Sequence, residues 1–214
     1  MRISDSSWLN LNRKDVHSQN GEDGVLEAIF DRIGVRTWWC CELGAHDGIT
    51  NSNTYNLRKN HGWTGVLIES DASLIPALQE NSRENDIVAH AHVDEVNSLD
   101  RILLQTMIPK SFDLLSIDVD GEDQNIWRSL EHYTPRVVVI EVDSRISPDS
   151  EQGFLLHPSG ISGCVAIGKA KGYELALHTG NCIFVQHEFV RTLGIDTKNW
   201  EALFDTSWLE KPYA

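Results

Sequence analysis

The sequence predicts an α/β protein: a doubly wound, mainly parallel sheet with an antiparallel edge strand. Three observations carry this. Short β-rich runs alternate with longer stretches of helical periodicity. Acidic residues recur where the strand runs end. The last two strand candidates follow each other as a hairpin with no helix between them. A chain of 214 residues, 41% hydrophobic and 23% charged, can bury a substantial core. It has no internal repeat, low-complexity tract or Pro/Gly-rich linker, so residues 1–214 are expected to form one domain. Residues 1–17 would be an N-terminal extension and 187–214 a tail.

In chain order, residues 20–33 place Val25, Leu26, Ile29, Phe30 and Ile33 at helical spacing, with Glu22 and Asp23 suited to a helix start. Residues 38–43 form the first strand. A Ser/Asn/Thr-rich loop (50–54) leads into a short helix through Lys59, and 66–69 is the second strand. A helix over 72–82 and a third strand over 87–93 follow, then a helix over 98–107 and a fourth strand over 113–118. After a helix from Asp123 to Leu130, Val137–Glu141 is a continuous apolar run, as a central strand requires. Residues 148–158 read as a loop and 160–171 as a helix. Residues 173–177 and 182–185 pair across Thr179-Gly180-Asn181. The tail carries Trp200, Leu203, Phe204, Trp208 and Leu209, which suggest a helix packing on the core or on a second copy of the chain, making a homo-oligomer. Trp63, Trp127 and Tyr133 read as packing residues.

The net charge of −14 disfavours nucleic acid and anionic membrane surfaces, both of which call for a basic footprint. No run approaches the length of a membrane span, and residues 1–8 lack the apolar core of a signal peptide. The four cysteines, Cys40, Cys41, Cys164 and Cys182, include no C-x-x-C pair and read as buried free thiols, which suits a cytoplasmic protein.

The stretch Cys40-Cys41-Glu42-Leu43-Gly44-Ala45-His46-Asp47-Gly48 reads as a buried strand running into a glycine-bearing turn. Its acceptors, Glu42 and Asp47, suit a ligand with hydroxyl and ammonium groups, which points to S-adenosylmethionine (SAM). Glu69 follows Gly48 by 21 residues, the spacing at which a carboxylate meets ribose hydroxyls. An NAD-type oxidoreductase would use the same spacing. The turn lacks G-x-G-x-x-G, however, and Glu42 would face a pyrophosphate with like charge. A non-catalytic SAM-binding scaffold of the same fold is the other alternative.

Strand ends also bring Asp118, Asp120, Glu141 and Asp143 together. These are hard oxygen ligands suited to Mg²⁺ or Mn²⁺, which would lower the pKa of a substrate hydroxyl. Alternatively, Asp118 contacts SAM or substrate directly and Asp120 caps the next helix. For a general base, His46, His157 and His178 are the candidates by titration range, His46 foremost because it lies in the turn.

In order, Ser18-Gln19-Asn20-Gly21-Glu22-Asp23-Gly24, Glu42 to Gly48, Ser52-Asn53-Thr54, Gly65 to Glu69 and Leu115 to Gly121 resemble the FkbM-like family of class I SAM-dependent methyltransferases. The resemblance continues through Val139-Ile140-Glu141, Gly172-Tyr173 and Gly180 to Val185, so it spans about residues 17–190. It implies a seven-stranded sheet and transfer of a methyl group to a hydroxyl, often of a sugar. The expected acceptor is therefore a small molecule, a sugar or sugar nucleotide. By position, Glu42, Gly44 and Asp47 would line the methionine part with Ser52 and Asn53 nearby. Glu69 would take the ribose, Asp118 would sit at the reacting centre, and Gln19 would fold over the cofactor. Many members carry Asp-x-Glu-Gly after strand four, where this chain has Asp118-Val119-Asp120-Gly121. The shorter carboxylate leaves the role of Asp120 less defined.

Overall fold

A computed structural model describes residues 6–94, 96–148 and 160–206. Seven strands form: β1 (Trp39–Leu43), β2 (Thr64–Glu69), β3 (Ile87–His90), β4 (Leu114–Ile117), β5 (Val137–Glu141), β6 (Tyr173–His178) and β7 (Asn181–Gln186). They lie in one sheet in the order β3-β2-β1-β4-β5-β7-β6. β1 to β5 are parallel, and β7 runs antiparallel to both β5 and β6. The hairpin thus feeds its second strand in beside β5, and the antiparallel strand lies one place inside the edge.

Among the described residues eight α-helices accompany the sheet: α1 (Ser7–Asn10), α2 (Glu22–Ile33), α3 (Tyr55–His61), α4 (Ile75–Asn81), α5 (Leu99–Leu103), α6 (Asp123–Ser129), α7 (Ile161–Ala170) and α8 (Val190–Leu193). Apolar residues of α5, α6 and α7 cover one face of the sheet, and those of α1, α2, α3 and α8 cover the other. Strand alternation divides neighbours between these cores. Cys41, Val138 and Ile140 face the first, while Cys40, Val137 and Val139 face the second. Coverage on both faces is why β5 reads as an unbroken apolar run.

Two expected elements end early. β3 stops at His90, because the next residue donates the last rung to Glu69 O (2.9 Å) and the chain then turns to wall a cavity. α5 stops at Leu103, whose carbonyl accepts the Thr106 hydroxyl at 2.8 Å. The tail forms a short 3-10 turn (Trp200–Leu203) instead of a regular helix. Trp200, Leu203 and Phe204 pack on the α5–α7 core, and Trp208 and Leu209 lie outside the described residues. Trp63, Trp127 and Tyr133 are buried, as are all four cysteines, each a free thiol. Among the described residues no helix is long and apolar enough to cross a membrane.

Candidate functional site

Strand order reverses between β1 and β4, so their carboxyl ends splay apart and leave a crevice. There the structure has a cavity of about 480 Å³, walled in part by Glu42, Gly44, Asn53, Glu69 and Asp118. Gly44 makes the close approach that shapes it. Its φ is +78°, and a Cβ would collide with the carbonyl oxygen of Asp118. The amides of Gly44 and Ala45 both donate to Ile68 O at 3.0 Å, tying the turn to β2.

The carboxylates on the β1–β2 side are satisfied by the chain itself. Glu42, 4% exposed, accepts the Asn53 amide (2.8 Å) and the hydroxyls of Ser52 (2.7 Å) and Thr54 (2.6 Å). It therefore braces the Ser/Asn/Thr loop while lining the cavity. Glu69 accepts the amides of His46, Ser70 and Asp71 at 2.7–2.8 Å. Asn53 donates through Nδ2 to Ser116 Oγ (3.0 Å), but its buried Oδ1 has no protein partner.

Below this loop, Arg58 is fully buried. It donates to the carbonyl of Gly48 (2.7 Å) and pairs with Asp86 (2.8 Å).

Two predicted cofactor contacts fall outside the cavity wall. Asp47 turns back on its own loop, accepting the amides of Ile49 and Thr50 and the Thr50 hydroxyl at 2.7–2.9 Å. Partial burial pushes its carboxyl up, but these bonds outweigh it and hold the pKa at about 2. Gln19 is exposed and does not line the cavity. The motif around it is structural. Asp23 Oδ2 gathers the amides of Val16, His17 and Ser18 at 2.7–2.9 Å, and Glu22 accepts Asn20 N and the Thr179 hydroxyl. This folds the loop onto the start of α2 and leaves Gln19 pointing to solvent.

On the β4–β5 side the predicted quartet is replaced by a trio. Asp118, Asp123 and Glu141 each bring a carboxyl oxygen within 4.8 Å of the others. Asp143 is diverted by Arg145, whose Nε and Nη2 each reach a carboxyl oxygen at 2.8 Å. Asp120 is exposed at φ +57° on the cavity wall and is not part of the trio. Asp118 is exposed on the cavity wall, and the surrounding protein and neighbouring acids govern its ionisation. Burial first, then Asp123 and Asp120, push it well above the ordinary carboxylate range. Glu141 is raised further by burial and by Asp118, to which it donates a hydrogen bond. Asp123 is raised by burial. It spends Oδ1 on Val119 N and Oδ2 on Gly121 N, both at 2.9 Å.

A divalent ion such as Mg²⁺ or Mn²⁺ is bound by one or two carboxylates and completes its shell with waters. Asp118, Asp123 and Glu141 offer such a set, with Asp123 already accepting two amides and Glu141 donating to Asp118 in the ion-free arrangement. In the sequence Asp123 reads only as the start of a helix, and the fold is what brings its carboxyl to Asp118. A carboxylate opening a helix five residues after Asp118 was the available signal.

The histidines divide. His46 lines the cavity at φ +50°, but its amide is held by Glu69 and its Nδ1 lies 3.6 Å from Asp47, which keeps it with the β2 side of the turn. His178 is buried, and burial holds its pKa down at about 4 with Asp205 opposing. Its Nδ1 accepts Asp205 N (3.0 Å), so its Nε2 carries the proton and donates to Ser144 Oγ (2.8 Å). In that tautomer it cannot take a proton from Ser144. His157 lies outside the described residues.

Among solved structures, an O-methyltransferase from Bacillus cereus, in complex with SAH (S-adenosylhomocysteine), superposes with a TM-score of 0.51 at 15% identity. The match covers 85% of this chain and 87% of that one. The strand order with β7 antiparallel between β5 and β6 departs from the 3-2-1-4-5-6 order of dinucleotide-binding oxidoreductases. The chain has the class I methyltransferase fold. A precorrin-6y C5,15-methyltransferase from Geobacter metallireducens matches at a TM-score of 0.45 and 12% identity, over 80% of this chain and 90% of that one. No protein-family model matches the chain, and no curated protein sequence matches it. In the class I methyltransferase fold, the cavity described above lies at the carboxyl ends of β1, β2 and β4.

Proposed function

We propose that the chain is a SAM-dependent O-methyltransferase of FkbM-like type, acting on a hydroxyl of a small polar acceptor such as a sugar. The observation that carries the reading is the orphaned Oδ1 of Asn53 at the wall of a preformed cavity. A buried acceptor without a partner is costly unless a ligand donates to it, and the ammonium group of SAM is such a donor. Gly44 provides the close backbone passage. Glu69 is already oriented by three amides and has lone pairs left for ribose hydroxyls. Bound there, SAM supplies an electrophilic methyl group.

The general base in this reading is Asp118, not His46. A carboxylate whose pKa is raised is a stronger base, and Glu141 stands behind it as a hydrogen-bond donor. Asp118 takes the proton of the acceptor hydroxyl, and the acid pair shares it with no step assigned to a metal ion. Transfer of labelled methyl from SAM to a panel of sugars and polyols tests the function. Label incorporated into an acceptor hydroxyl supports it. Tight SAH binding with no transfer to any acceptor would favour a non-catalytic scaffold.

A further inference from the structure

The cavity wall carries six carboxylates: Glu42, Glu69, Asp71, Asp118, Asp120 and Glu122. Among the described residues that line it there is no Lys or Arg, and the only other ionisable side chains are His46 and His92. Arg145, which follows β5, is committed to Asp143.

The carboxylates are not equivalent. Glu42 and Glu69 stand at the ends of β1 and β2, and each already accepts three hydrogen bonds from backbone and hydroxyl donors. Asp118, Asp120 and Glu122 stand after β4, in the half where the acceptor would enter, and all three are exposed to the cavity. A positively charged SAM accounts for acidity on its own side of the cavity. It does not account for the second group, which an uncharged acceptor would leave facing itself. A phosphorylated or nucleotide-linked acceptor would bring more negative charge against that wall, where the described lining residues include no Lys or Arg to receive it, whereas phosphate sites are built from Arg, Lys and amide donors. The buried, unpartnered Asn53 Oδ1 on the same wall, which the ammonium group of SAM would meet, separately marks the cavity as a ligand site.

We propose that the acceptor is cationic, a polyhydroxy compound bearing an amine whose ammonium group docks against Asp118, Asp120 and Glu122, and that phosphorylated and nucleotide-linked acceptors are turned away. This rests on the methyltransferase reading, and it narrows the acceptor from sugars in general to amino sugars and amino polyols.

The test uses the full chain saturated with SAH, which has lost the sulfonium charge and so isolates the acceptor half. Calorimetry first records SAH binding. Failure at this step overturns the underlying methyltransferase reading. Ligand-observed NMR then compares glucosamine, glucose and glucose 6-phosphate on the SAH complex. The expected result is glucosamine bound about tenfold more tightly than glucose, with no binding of glucose 6-phosphate. Asp120→Asn should weaken glucosamine several-fold and leave SAH affinity unchanged. With SAH bound, glucose or glucose 6-phosphate binding as well as glucosamine would overturn the inference, as would no binding of glucosamine or indifference to Asp120→Asn. In each of those cases the methyltransferase reading would stand.

Discussion

Glu42 and Glu69, at the ends of β1 and β2, each accept three short hydrogen bonds from the chain, so their charge is met before any ligand arrives. Asp118 and Glu141, at the ends of β4 and β5, are met mainly by each other, and both are raised: Asp118 by burial and by Asp123 and Asp120, Glu141 by burial and by the charge of Asp118. The same residue types on the same sheet edge therefore do opposite things. The first pair is a rigid scaffold for a ligand. The second stores unfavourable electrostatics, which makes it reactive toward protons. The difference comes from the following loops: the 46–54 and 70–71 segments turn amides and hydroxyls back onto the strand ends, whereas the 119–121 segment turns its amides onto Asp123.

Breaking the scaffold half should cost stability. Arg58→Ala removes one partner of a fully buried ion pair and should destabilise by about 3–5 kcal/mol in denaturant unfolding. Gly44→Ala forces a side chain against Asp118 O in a left-handed conformation. It should cost about 3 kcal/mol and abolish SAH binding by calorimetry. Glu42→Gln keeps the shape but replaces a charged acceptor of three bonds, at about 2 kcal/mol. A stable Glu42→Gln protein with unchanged SAH affinity would contradict the scaffold role.

Breaking the other half should do the reverse. Because the folded pKa of Glu141 is raised, the folded state binds protons more tightly than the unfolded one. Its contribution to stability is thus lost as pH rises from the ordinary carboxylate range through about 8. Glu141→Gln removes that loss. The variant should match wild type near pH 4.5 and exceed it by about 1–2 kcal/mol at pH 8. His178 acts oppositely: buried and neutral, it costs stability as pH falls below 6.5 toward about 4. Both proteins share it, so the difference between their pH profiles isolates Glu141.

The sheet was legible because the runs at β1, β2, β4 and β5 combine continuous apolar character with an acidic stop. The strand-end acids Glu42, Glu69 and Asp118 were legible for the same reason, and all three line the cavity. What the sequence hid depends on distance. Arg58 and Asp86 pair across 28 positions, and Asn53 meets Ser116 across 63. Asp143 looked like a partner of Asp118 by position, but an arginine two residues on captured it. Asp47 and Gln19 sat inside apparent cofactor motifs, yet local turns claimed Asp47 and the α2 start claimed the neighbours of Gln19.

The division between the halves is tested most directly by SAH affinity in two variants, Glu69→Gln and Asp118→Asn, measured by titration calorimetry against wild type. Wild type should bind SAH. Glu69→Gln should lose about 2–3 kcal/mol of binding, roughly 30- to 150-fold, while Asp118→Asn should bind within about twofold of wild type, a change of under 0.5 kcal/mol. If wild type did not bind, or if Asp118→Asn lost affinity while Glu69→Gln retained it, the assignment of binding to the β1–β2 half and proton chemistry to the β4–β5 half would be wrong.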